Sequence, residues 1–568
     1  RRRKMIFTRR LHRFVAIAAS TAGIIISTTS VFHFTCDFLF SNHDVDGDSR
    51  RQLRIQRVVN FFDPKTTTLR SINPKSDKNF VASSPHYSLE HVIEAIPHFN
   101  RELVLFIYSS ETDEFIVALP YDIKTLPEDV QCDLGCVRIK NVGRALIYAF
   151  RTKFTDRFPY KNTFIEQSTK QQRQFFGMNT MQQENYPVNQ DFMLLVSTGD
   201  LPKLNRFCTA LDENHCNSKN FAPILQFGSG YRDEAILPSM IIMPPEPRMH
   251  LRCLNDYQQL GEVCEFLLPM KDGSRGLVFG DDVGLAWEGL IPQVVWRGTD
   301  FPYIRPLRPQ LRAPVFDVDV LPKLEAYGHT PEGVIRALRD VENKLLPRWK
   351  AVLLTAEAQL EASHSGSTPW ANMKLSSYAA NHAKVASMVE NDYYKRWIDL
   401  GVPVVGEEMP LTELAKFKYH VDIGGGGGTT WTGTIQKLAM PGLLFHHETP
   451  SKDWYFDVEI KPWVHYVPIN EDLGDLREKM EWAEKNGKKA KQIARAGTIF
   501  ARELGKPFVL NDMYQKYVLQ PLANVIDAYE QSDNLSLTSL LTEGVDGIRF
   551  KEIMRCTGQK LLDCDLGV

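Results

Sequence analysis

Short apolar runs alternate with polar segments between about residues 91 and 290. Each run is five or six residues long and rich in β-branched or aromatic side chains, which is typical of buried strands. The predicted strands are 102–107, 115–120, 191–196, 223–227 and 240–245. The pattern predicts an N-terminal domain over residues 91–290 that is built on a sheet.

Helical and strand patterns alternate more clearly between about residues 330 and 500. Apolar residues at helical spacing predict helices at 333–346 and 380–389, and a third with one apolar face over 490–504. Short apolar runs predict strands at 351–356, 402–405, 418–423 and 442–447. Alternation of this kind favours a doubly wound parallel sheet, here in a second domain over residues 291–530, with a C-terminal tail at 531–568.

The N-terminus has a different pattern. Residues 1–13 contain seven Arg or Lys residues and no acid, and residues 14–36 contain no charge. The run is long enough to cross a bilayer, and the basic flank keeps residues 1–13 cytosolic as a tail. We expect a single-pass type II anchor at 14–36 and a stem at 37–90, with a cleaved signal peptide as the alternative.

Composition narrows the class of protein. A chain of 568 residues that is 43% apolar and 11% aromatic fits a globular protein of two domains. The net charge of −2 shows no global basic field, so no nucleic-acid partner is expected.

Eight of the nine cysteines fall in close pairs, which predicts local disulfides in an oxidising compartment. The pairs are 132/136, 208/216, 253/264 and 556/564. No CxxC is present, which disfavours zinc. The acidic pair Asp317 and Asp319 is interpreted as a surface feature rather than a manganese site, so neither a metal nor another cofactor is expected. The paired cysteines agree with a luminal position for the body of the chain, which we expect in the endoplasmic reticulum or Golgi.

A glycine run at 424–428 follows the predicted strand 418–423. Glycine allows a positive φ and leaves backbone N–H groups free to face a diphosphate, and the following threonines add hydroxyl donors. The candidate contacts are Gly427, Gly428, Thr429, Thr430, Trp431 and Thr432. The alternative is a flexible turn. No GK[ST] follows, so this is not a Walker loop.

Longer stretches resemble glycosyltransferase family 90, the protein O-glucosyltransferases and fungal capsule-associated xylosyltransferases. They are KFKYHVDIGGGGGTTWTGTIQKLAMPGLLFHH at 416–447, IKPWVHYVPINEDLGDL at 460–476, VVWRGTDFPYIR at 294–305 and VSTGDLPK at 196–203. The resemblance implies an α/β fold of two facing Rossmann-like domains, the GT-B arrangement, with Asp200 as the catalytic base. It implies donor contacts from Arg297, Gly298, Thr299 and Arg305.

The sequence departs from the family at one position that matters for charge. The family usually places an arginine after its glycine/serine loop, where it neutralises donor phosphates. This chain has Gly433 and Thr434 there, and the nearest basic residue is Lys437. Either Lys437 or Arg305 takes over, or donor binding is weakened.

The implied function is transfer of glucose or xylose, with inversion, from UDP-glucose or UDP-xylose to a hydroxyl of a glycoprotein or polysaccharide. An inverting transfer needs a base for the acceptor hydroxyl and a site that stabilises the leaving diphosphate. The competing interpretation is a luminal binding protein that keeps the fold without productive donor contacts. The missing loop arginine favours that second possibility.

Overall fold

The structure is a computed structural model, and the chain divides into two compact units, residues 1–79 and 80–568. All described residues lie in the second unit. They are 86–96, 103–124, 126, single positions between 139 and 158, 190–197, 223–226, 240–242, 277–305, 308–378, 383–384, 391–426, 428, 433–449, 460–504, 509, 519–532, 536–557 and 564–565.

The first sheet has seven strands in the order β13-β12-β2-β1-β3-β4-β5. The strands are β1 Leu103–Ser109, β2 Glu114–Asp122, β3 Phe192–Ser197, β4 Ile224–Gln226, β5 Met240–Ile242, β12 Ile548–Thr557 and β13 Cys564–Asp565. Pairing is antiparallel from β13 to β3 and parallel from β3 to β5. All five strands predicted from the apolar runs of this region are present, and β1, β3 and most of β2 are buried.

The chain returns to this sheet at its C-terminal end. Residues 531–568, which the sequence analysis left as a tail, contain a helix and the strands β12 and β13. β12 runs along the whole length of β2, from Ile548 opposite Asp122 to Thr557 opposite Glu114. Cys556 is disulfide-bonded, and the strand register places it opposite Cys564, in agreement with the predicted 556/564 pair. The other three predicted pairs lie outside the described residues.

The second sheet has six strands in the order β11-β10-β9-β6-β7-β8. They are β6 Ile291–Thr299, β7 Ala371–Tyr378, β8 Ala383–Lys384, β9 Phe417–Asp422, β10 Leu443–His447 and β11 Val467–Ile469. Every pairing from β11 to β7 is parallel, and β8 is antiparallel to β7. The molecule is therefore α/β with two sheets, and the second sheet is the parallel one that the alternation predicted.

Twelve helices are numbered here within the described part of the chain. They are α1 Leu89–Ala95, α2 Gly280–Val283, α3 Leu321–Tyr327, α4 Pro331–Arg339, α5 Pro347–Ser365, α6 Asp392–Asp399, α7 Leu411–Leu414, α8 Gly433–Ala439, α9 Leu476–Lys485, α10 Gly487–Leu504, α11 Gln520–Asp527 and α12 Leu537–Glu543. The predicted helix over 490–504 is confirmed in α10, whose apolar face is buried from Ala490 to Leu504. The helix predicted over 333–346 is shorter and ends at Arg339.

Three predictions in the second sheet are wrong. The run 402–405 is not a strand and forms only an isolated bridge, between Val405 and Leu375. The run 351–356 is not a strand but the centre of α5, a 19-residue helix that starts with Pro347 at its first turn and ends before Gly366 in the left-handed conformation. Every residue from Trp349 to Ala356 is buried, so the run carries no polar face, and a wholly buried helix cannot be told from a strand by periodicity. The helix predicted at 380–389 is also wrong in part, because Ala383–Lys384 form β8.

The predicted anchor at 14–36 lies outside the described residues. No helix of the described part is long and apolar enough to span a membrane. The predicted stem at 37–90 is described only from residue 86. There Tyr87 is buried and pairs with Tyr529, and α1 begins at Leu89, so these last residues belong to the folded unit.

Candidate functional site

The carboxyl ends of the parallel strands lie side by side along one edge of the second sheet. β6 ends at Thr299, β9 at Asp422, β10 at His447 and β11 at Ile469. In open α/β sheets, ligands bind outside this edge because the loops that leave it converge there. The polar side chains of these loops form three connected groups, centred on Asp422, His447 and Glu471.

Asp422 is fully buried at the end of β9, where its carboxylate contacts Thr434, His446 and His447. Its carboxylate accepts hydrogen bonds from Thr434 Oγ1 at 2.7 Å and from the backbone N–H of His447 at 3.2 Å, and its Oδ atoms lie 2.9 Å from His446 Nδ1. Burial opposes ionisation, but the contact with His446, the charge of Lys437 and the Thr434 bond together lower the pKa of Asp422 to about 2. The carboxylate therefore joins the end of β9 to the start of α8, on both sides of the glycine loop.

His447 fixes the first residue of the glycine loop. The backbone N–H of Gly424 donates to His447 Nδ1 at 3.1 Å, so the ring proton must sit on Nε2, which donates to the carbonyl oxygen of Glu471 at 2.6 Å. Burial, together with the neighbouring His446, lowers the pKa of His447 to about 4. The neutral ring thus connects the loop after β9 with the loop after β11.

The Glu471 side chain holds the loop that follows β6. Tyr303 Oη donates to Glu471 Oε1 at 2.9 Å, and Arg308 donates from Nε to Oε1 at 3.0 Å and from Nη2 to Oε2 at 2.8 Å. A two-pronged arginine–carboxylate pair of this kind fixes orientation as well as distance. Between these residues Ile304 has a φ of +31°, an uncommon conformation for a β-branched residue. The loops after β6, β10 and β11 are thereby held as one network.

The first residue of the glycine loop, Gly424, needs glycine for reasons of space, whereas the second, Gly425, lies against a side chain. A Cβ at Gly424 would lie 2.4 Å from the carbonyl oxygen of Gly428, and one at Gly425 would lie 2.9 Å from Arg348 Nη2. Gly428 has a φ of +81° and donates its N–H to the carbonyl of Gly425 at 2.9 Å, which closes a tight turn. The predicted contacts Gly427, Thr429, Thr430, Trp431 and Thr432 lie outside the described residues.

Arg348 is a cation beside this loop that the sequence analysis did not single out. It lies in the first turn of α5 and donates from Nη1 to the carbonyl of Thr299 and from Nη2 to the carbonyl of Ile423 at 3.0 Å. It therefore joins the ends of the neighbouring strands β6 and β9. Its guanidinium carbon lies 5.4 Å from the centre of the Trp296 ring and 6.0 Å from that of Phe301.

The side chain of the predicted donor residue Arg297 makes its hydrogen bonds to neighbouring parts of the sheet. It donates to the backbone carbonyls of Trp296, Asn372 and Glu407 and to Asn372 Oδ1, at 2.7 to 3.1 Å. Burial lowers its pKa to about 10. These bonds tie β6 to β7 and to the segment after Val405. Gly298 and Thr299 lie at the strand end itself, where Thr299 Oγ1 and Ser377 Oγ form a hydrogen bond.

The other two predicted cations differ in exposure. Arg305 is exposed just after the strained Ile304 and has no hydrogen bond or ion pair with another described residue. Lys437 lies in α8, where its Nζ donates to the carbonyl of Gly433 at 3.3 Å. Burial and the charge of Arg348 lower the pKa of Lys437, and the carboxylate of Asp422 opposes that shift.

The predicted base, Asp200, lies outside the described residues, although β3 leads towards it. The acidic pair is engaged in ion pairs: Asp319 is held by Arg312 through both oxygens, and Asp317 is held by Arg396. The interpretation as a surface pair is wrong for Asp319, which is 4% exposed. No group of three or more His, Cys, Asp or Glu side chains suited to a metal occurs among the described residues.

Comparison with known proteins finds a matching protein family. Residues 364–544 match the model of "Glycosyl transferase family 90". This segment is therefore similar to glycosyltransferase family 90. The resemblance inferred from the sequence is confirmed. The matched segment includes the glycine loop, His447 and Glu471, while Asp200, Arg297 and Arg348 precede it.

Curated relatives match over a similarly limited length. The chain is 37% identical over 121 residues to protein O-glucosyltransferase 3 of Mus musculus, which is 20% of this chain and 22% of the relative. It is 32% identical over 130 residues to protein O-glucosyltransferase 2 of Danio rerio (22% and 24%) and 29% identical over 118 residues to protein O-glucosyltransferase 1 of Homo sapiens (21% and 29%). The match thus spans less than a third of each of these relatives.

Proposed function

We propose that this protein is an inverting glycosyltransferase that moves glucose or xylose from a UDP-sugar to a hydroxyl of a protein or polysaccharide. One observation supports it most directly. The glycine loop leaves the carboxyl edge of a parallel sheet, and His447 and Asp422 fix its two ends, within the segment that matches family 90. Such a loop offers backbone N–H groups to a diphosphate.

The proposed arrangement is GT-B, with the donor on the six-stranded sheet and the acceptor approaching from the seven-stranded sheet. Two α/β sheets within one unit are compatible with it. The donor residues proposed from the sequence are Arg297, Gly298, Thr299, Arg305, the loop 427–432 and Lys437. In this role Arg297 and Lys437 shape the site, since their described bonds go to backbone carbonyls and, for Arg297, also to Asn372 Oδ1. The relatives are named for O-glucosylation of proteins, which favours glucose and a protein acceptor.

Asp200 is the proposed general base, and its removal tests the reaction. A positioned base contributes about 10²- to 10⁴-fold to the rate. We expect Asp200→Asn to lower both the rate of sugar transfer and the rate of UDP-sugar hydrolysis by about that factor. The affinity for UDP should stay within a few-fold of that of wild type. If donor affinity falls together with the rate, Asp200 is structural and the base lies elsewhere.

A second candidate function is a luminal binding protein without catalysis. The observation that favours it is Gly433–Thr434 at the position where the family has its loop arginine. Calorimetry with UDP separates the two: wild type should bind, and Arg305→Ala should weaken binding by about 1.5–3 kcal/mol, the range for a hydrogen bond to a charged group. Lys437→Ala should weaken it less. Absence of UDP binding by wild type favours the binding protein.

The proposed location is the endoplasmic reticulum or Golgi membrane, with residues 14–36 as the anchor and the body in the lumen. The support is the basic flank at 1–13 and the disulfide at Cys556. In sealed vesicles the folded body should resist protease until detergent is added. Digestion without detergent contradicts this orientation.

A further inference from the structure

Arg297 and Lys374 are two cations that lie side by side on neighbouring parallel strands. They are direct partners in the register of β6 and β7, and neighbouring strands lie about 4.8 Å apart. Arg297 Nη2 donates to Asn372 Oδ1 at 3.0 Å, and Asn372 precedes Lys374 by two residues on β7, so all three side chains share one face of the sheet. Both cations are partly buried. Two like charges are therefore held together where water screens them only in part.

The segment after Val405 packs against both cations. A Cβ on Gly406 would lie 2.8 Å from Lys374 Cδ and 3.1 Å from Arg297 Nε. Two acids follow Gly406 in the sequence, but both are exposed, and neither pairs with one of these cations. Burial lowers the pKa of Arg297, and burial together with the charge of Arg297 lowers that of Lys374, while no carboxylate of the described residues opposes either shift. The charge of the pair is thus left without compensation by the described part of the chain.

Lys374 differs in this respect from three other lysines in or beside the same sheet, each of which has a carboxylate nearby. They are Lys350 with Glu342, Lys418 with Glu484, and Lys437 with Asp422. A charge that is partly removed from water needs such a partner, because burial disfavours the charged form. For Lys374 the partner has to come from solution.

The same place also offers unused hydrogen-bond donors. Arg297 Nε donates to the carbonyl of Glu407, and Nη1 donates to the carbonyls of Trp296 and Asn372. Nη2 gives one hydrogen to Asn372 Oδ1, so one of the five N–H donors of the guanidinium remains. The ammonium group of Lys374 and the side-chain NH₂ group of Asn372 make no bond with another described residue. N–H donors that carry two positive charges suit the oxygens of a phosphate.

We propose that Arg297, Asn372 and Lys374 form a binding site for a doubly charged phosphate group on this face of the parallel sheet. In this site Lys374 contacts the phosphate, Arg297 supplies the second charge and Asn372 adds neutral donors. The inference goes beyond the proposed function, which places Arg297 at the donor but assigns nothing to the other two residues. Free phosphate and the terminal phosphate of a nucleotide share the required chemistry.

The test follows thermal unfolding of the full chain in sodium phosphate, at a pH where inorganic phosphate is doubly charged, and in sodium chloride of equal ionic strength. A ligand of the folded state raises the unfolding temperature by mass action. The variants are Lys374→Met, which removes the charge, and Lys374→Arg, which keeps it. The matched control is Lys418→Met on β9 of the same sheet, because Lys418 Nζ already has Glu484 at 3.6 Å.

We expect phosphate to raise the unfolding temperature of wild type, Lys374→Arg and Lys418→Met above the value in chloride. Lys374→Met should lose this rise, and its affinity for inorganic phosphate in calorimetry should fall about 10- to 100-fold. In chloride, Lys374→Met should be at least as stable as wild type, because it removes one of two neighbouring like charges. A purely structural lysine would give the opposite sign.

Titrations with UDP distinguish the two sources of the phosphate. If phosphate and UDP compete, and Lys374→Met weakens both, the site holds the terminal phosphate of the nucleotide. If saturating phosphate leaves the affinity for UDP unchanged, the site holds free phosphate. If wild type binds phosphate at this site but does not bind UDP, the site stands and the proposed function fails.

Three results overturn the assignment. If phosphate stabilises wild type no more than chloride does, Lys374 is an ordinary solvated lysine, whatever UDP does. If Lys374→Met responds to phosphate as wild type does, the phosphate binds elsewhere. If Lys374→Met is less stable than wild type in chloride, or does not fold, the lysine is part of the structure rather than of a binding site.

Discussion

The two sheets place polar groups in different ways. In the seven-stranded sheet the buried residues are almost all apolar, and among the described ones the charged exceptions are Asp113 and Arg151, which pair with each other at 2.8 Å. In the six-stranded sheet the buried set includes His420, Asp422, His446 and His447, on neighbouring strands β9 and β10. One sheet keeps its buried charges within a single contact, and the other gathers buried polar groups on two neighbouring strands, with Asp422, His446 and His447 at its carboxyl edge.

The difference follows from strand direction. Antiparallel neighbours end at opposite edges, so the polar residues that follow their strands are spread over both edges of the sheet. Parallel neighbours end at the same edge, and their last residues meet there. The parallel sheet therefore supplies the site, and the mixed sheet supplies a largely apolar body. Predictions that alter one sheet at a time test this division.

The largest effect is expected from removing the C-terminal strands of the mixed sheet. Deletion of residues 548–568 removes β12, exposes the edge of β2 and deletes buried Ile553 and Met554 from the core. An uncovered apolar edge strand promotes aggregation. We expect loss of cooperative unfolding and loss of soluble protein, measured by scanning calorimetry and size-exclusion chromatography.

The control for this deletion is a chain that ends at Thr557. It keeps all of β12 and loses β13, with the disulfide of Cys556. For so short a loop the chain-entropy contribution of the bond is about 2–3 kcal/mol, so this chain should remain folded with a lower unfolding temperature. Equal damage from both deletions would show that β12 is not the element that matters.

How far the sequence predicted the fold depends on how local the signal is. The strands of the mixed sheet were predicted wherever a run was apolar and short, but β12 was not, because IRFKEIMRCT mixes charges with apolar residues and its partner β2 is more than 400 residues away. β7 was missed for a similar reason, since ANMKLSSY has polar residues along its length. Burial by distant elements is not visible in a local pattern.

The residues of the candidate site were also predicted only where their sequence signal is local. The glycine loop was predicted because Gly424 to Gly428 are contiguous in the sequence. Arg348 was not, because it lies 75 residues before Ile423 and just ahead of the run 351–356 that was predicted as a strand. His447 was assigned to a strand with no role in fixing the loop. A signal was nevertheless present, since His446 and His447 end an apolar strand that the resemblance covers.

The second prediction concerns a buried charge of the parallel sheet. Asp422→Asn removes the negative charge that faces His446 and Lys437. Breaking a buried ionic contact costs about 3–5 kcal/mol, because the remaining charge loses its compensation. We expect a loss of that size in the free energy of unfolding from urea titrations, together with weaker UDP binding.

Asp317→Asn is the matched control for that variant. Asp317 also pairs with a cation, Arg396, but its side chain is 59% exposed. Exposed pairs are worth less than about 1 kcal/mol, so this variant should be close to wild type in stability. Similar losses in the two variants would mean that burial at the strand ends does not set the energy.

The last prediction concerns the pH dependence of stability that arises from two buried histidines of the parallel sheet. Burial lowers the pKa of His420 to about 3 and that of His447 to about 4, whereas an unfolded histidine has a pKa near 6.5. Because the folded pKa values are depressed, both rings are neutral in the fold, and this contribution to stability is complete above about pH 6.5. It is lost as the pH falls from there towards 4, at about 1.4 kcal/mol per unit for each ring, or about 2 kcal/mol each by pH 5. The charge of Lys437 acts in the same direction on His420, while the carbonyls of Phe417 and Glu471 oppose the shift at His420 and His447 respectively.

The stability of wild type, followed by urea unfolding from pH 7.5 to 5, should therefore decrease below pH 6.5, and His420→Leu should flatten the decrease by about half. Since the folded ring of His447 stays neutral down to its pKa of about 4, its tautomer, and with it the UDP affinity of the folded protein, should change little over this range in both proteins. A His420→Leu profile that runs parallel to wild type would contradict the assignment of the buried ring as a source of the acid sensitivity.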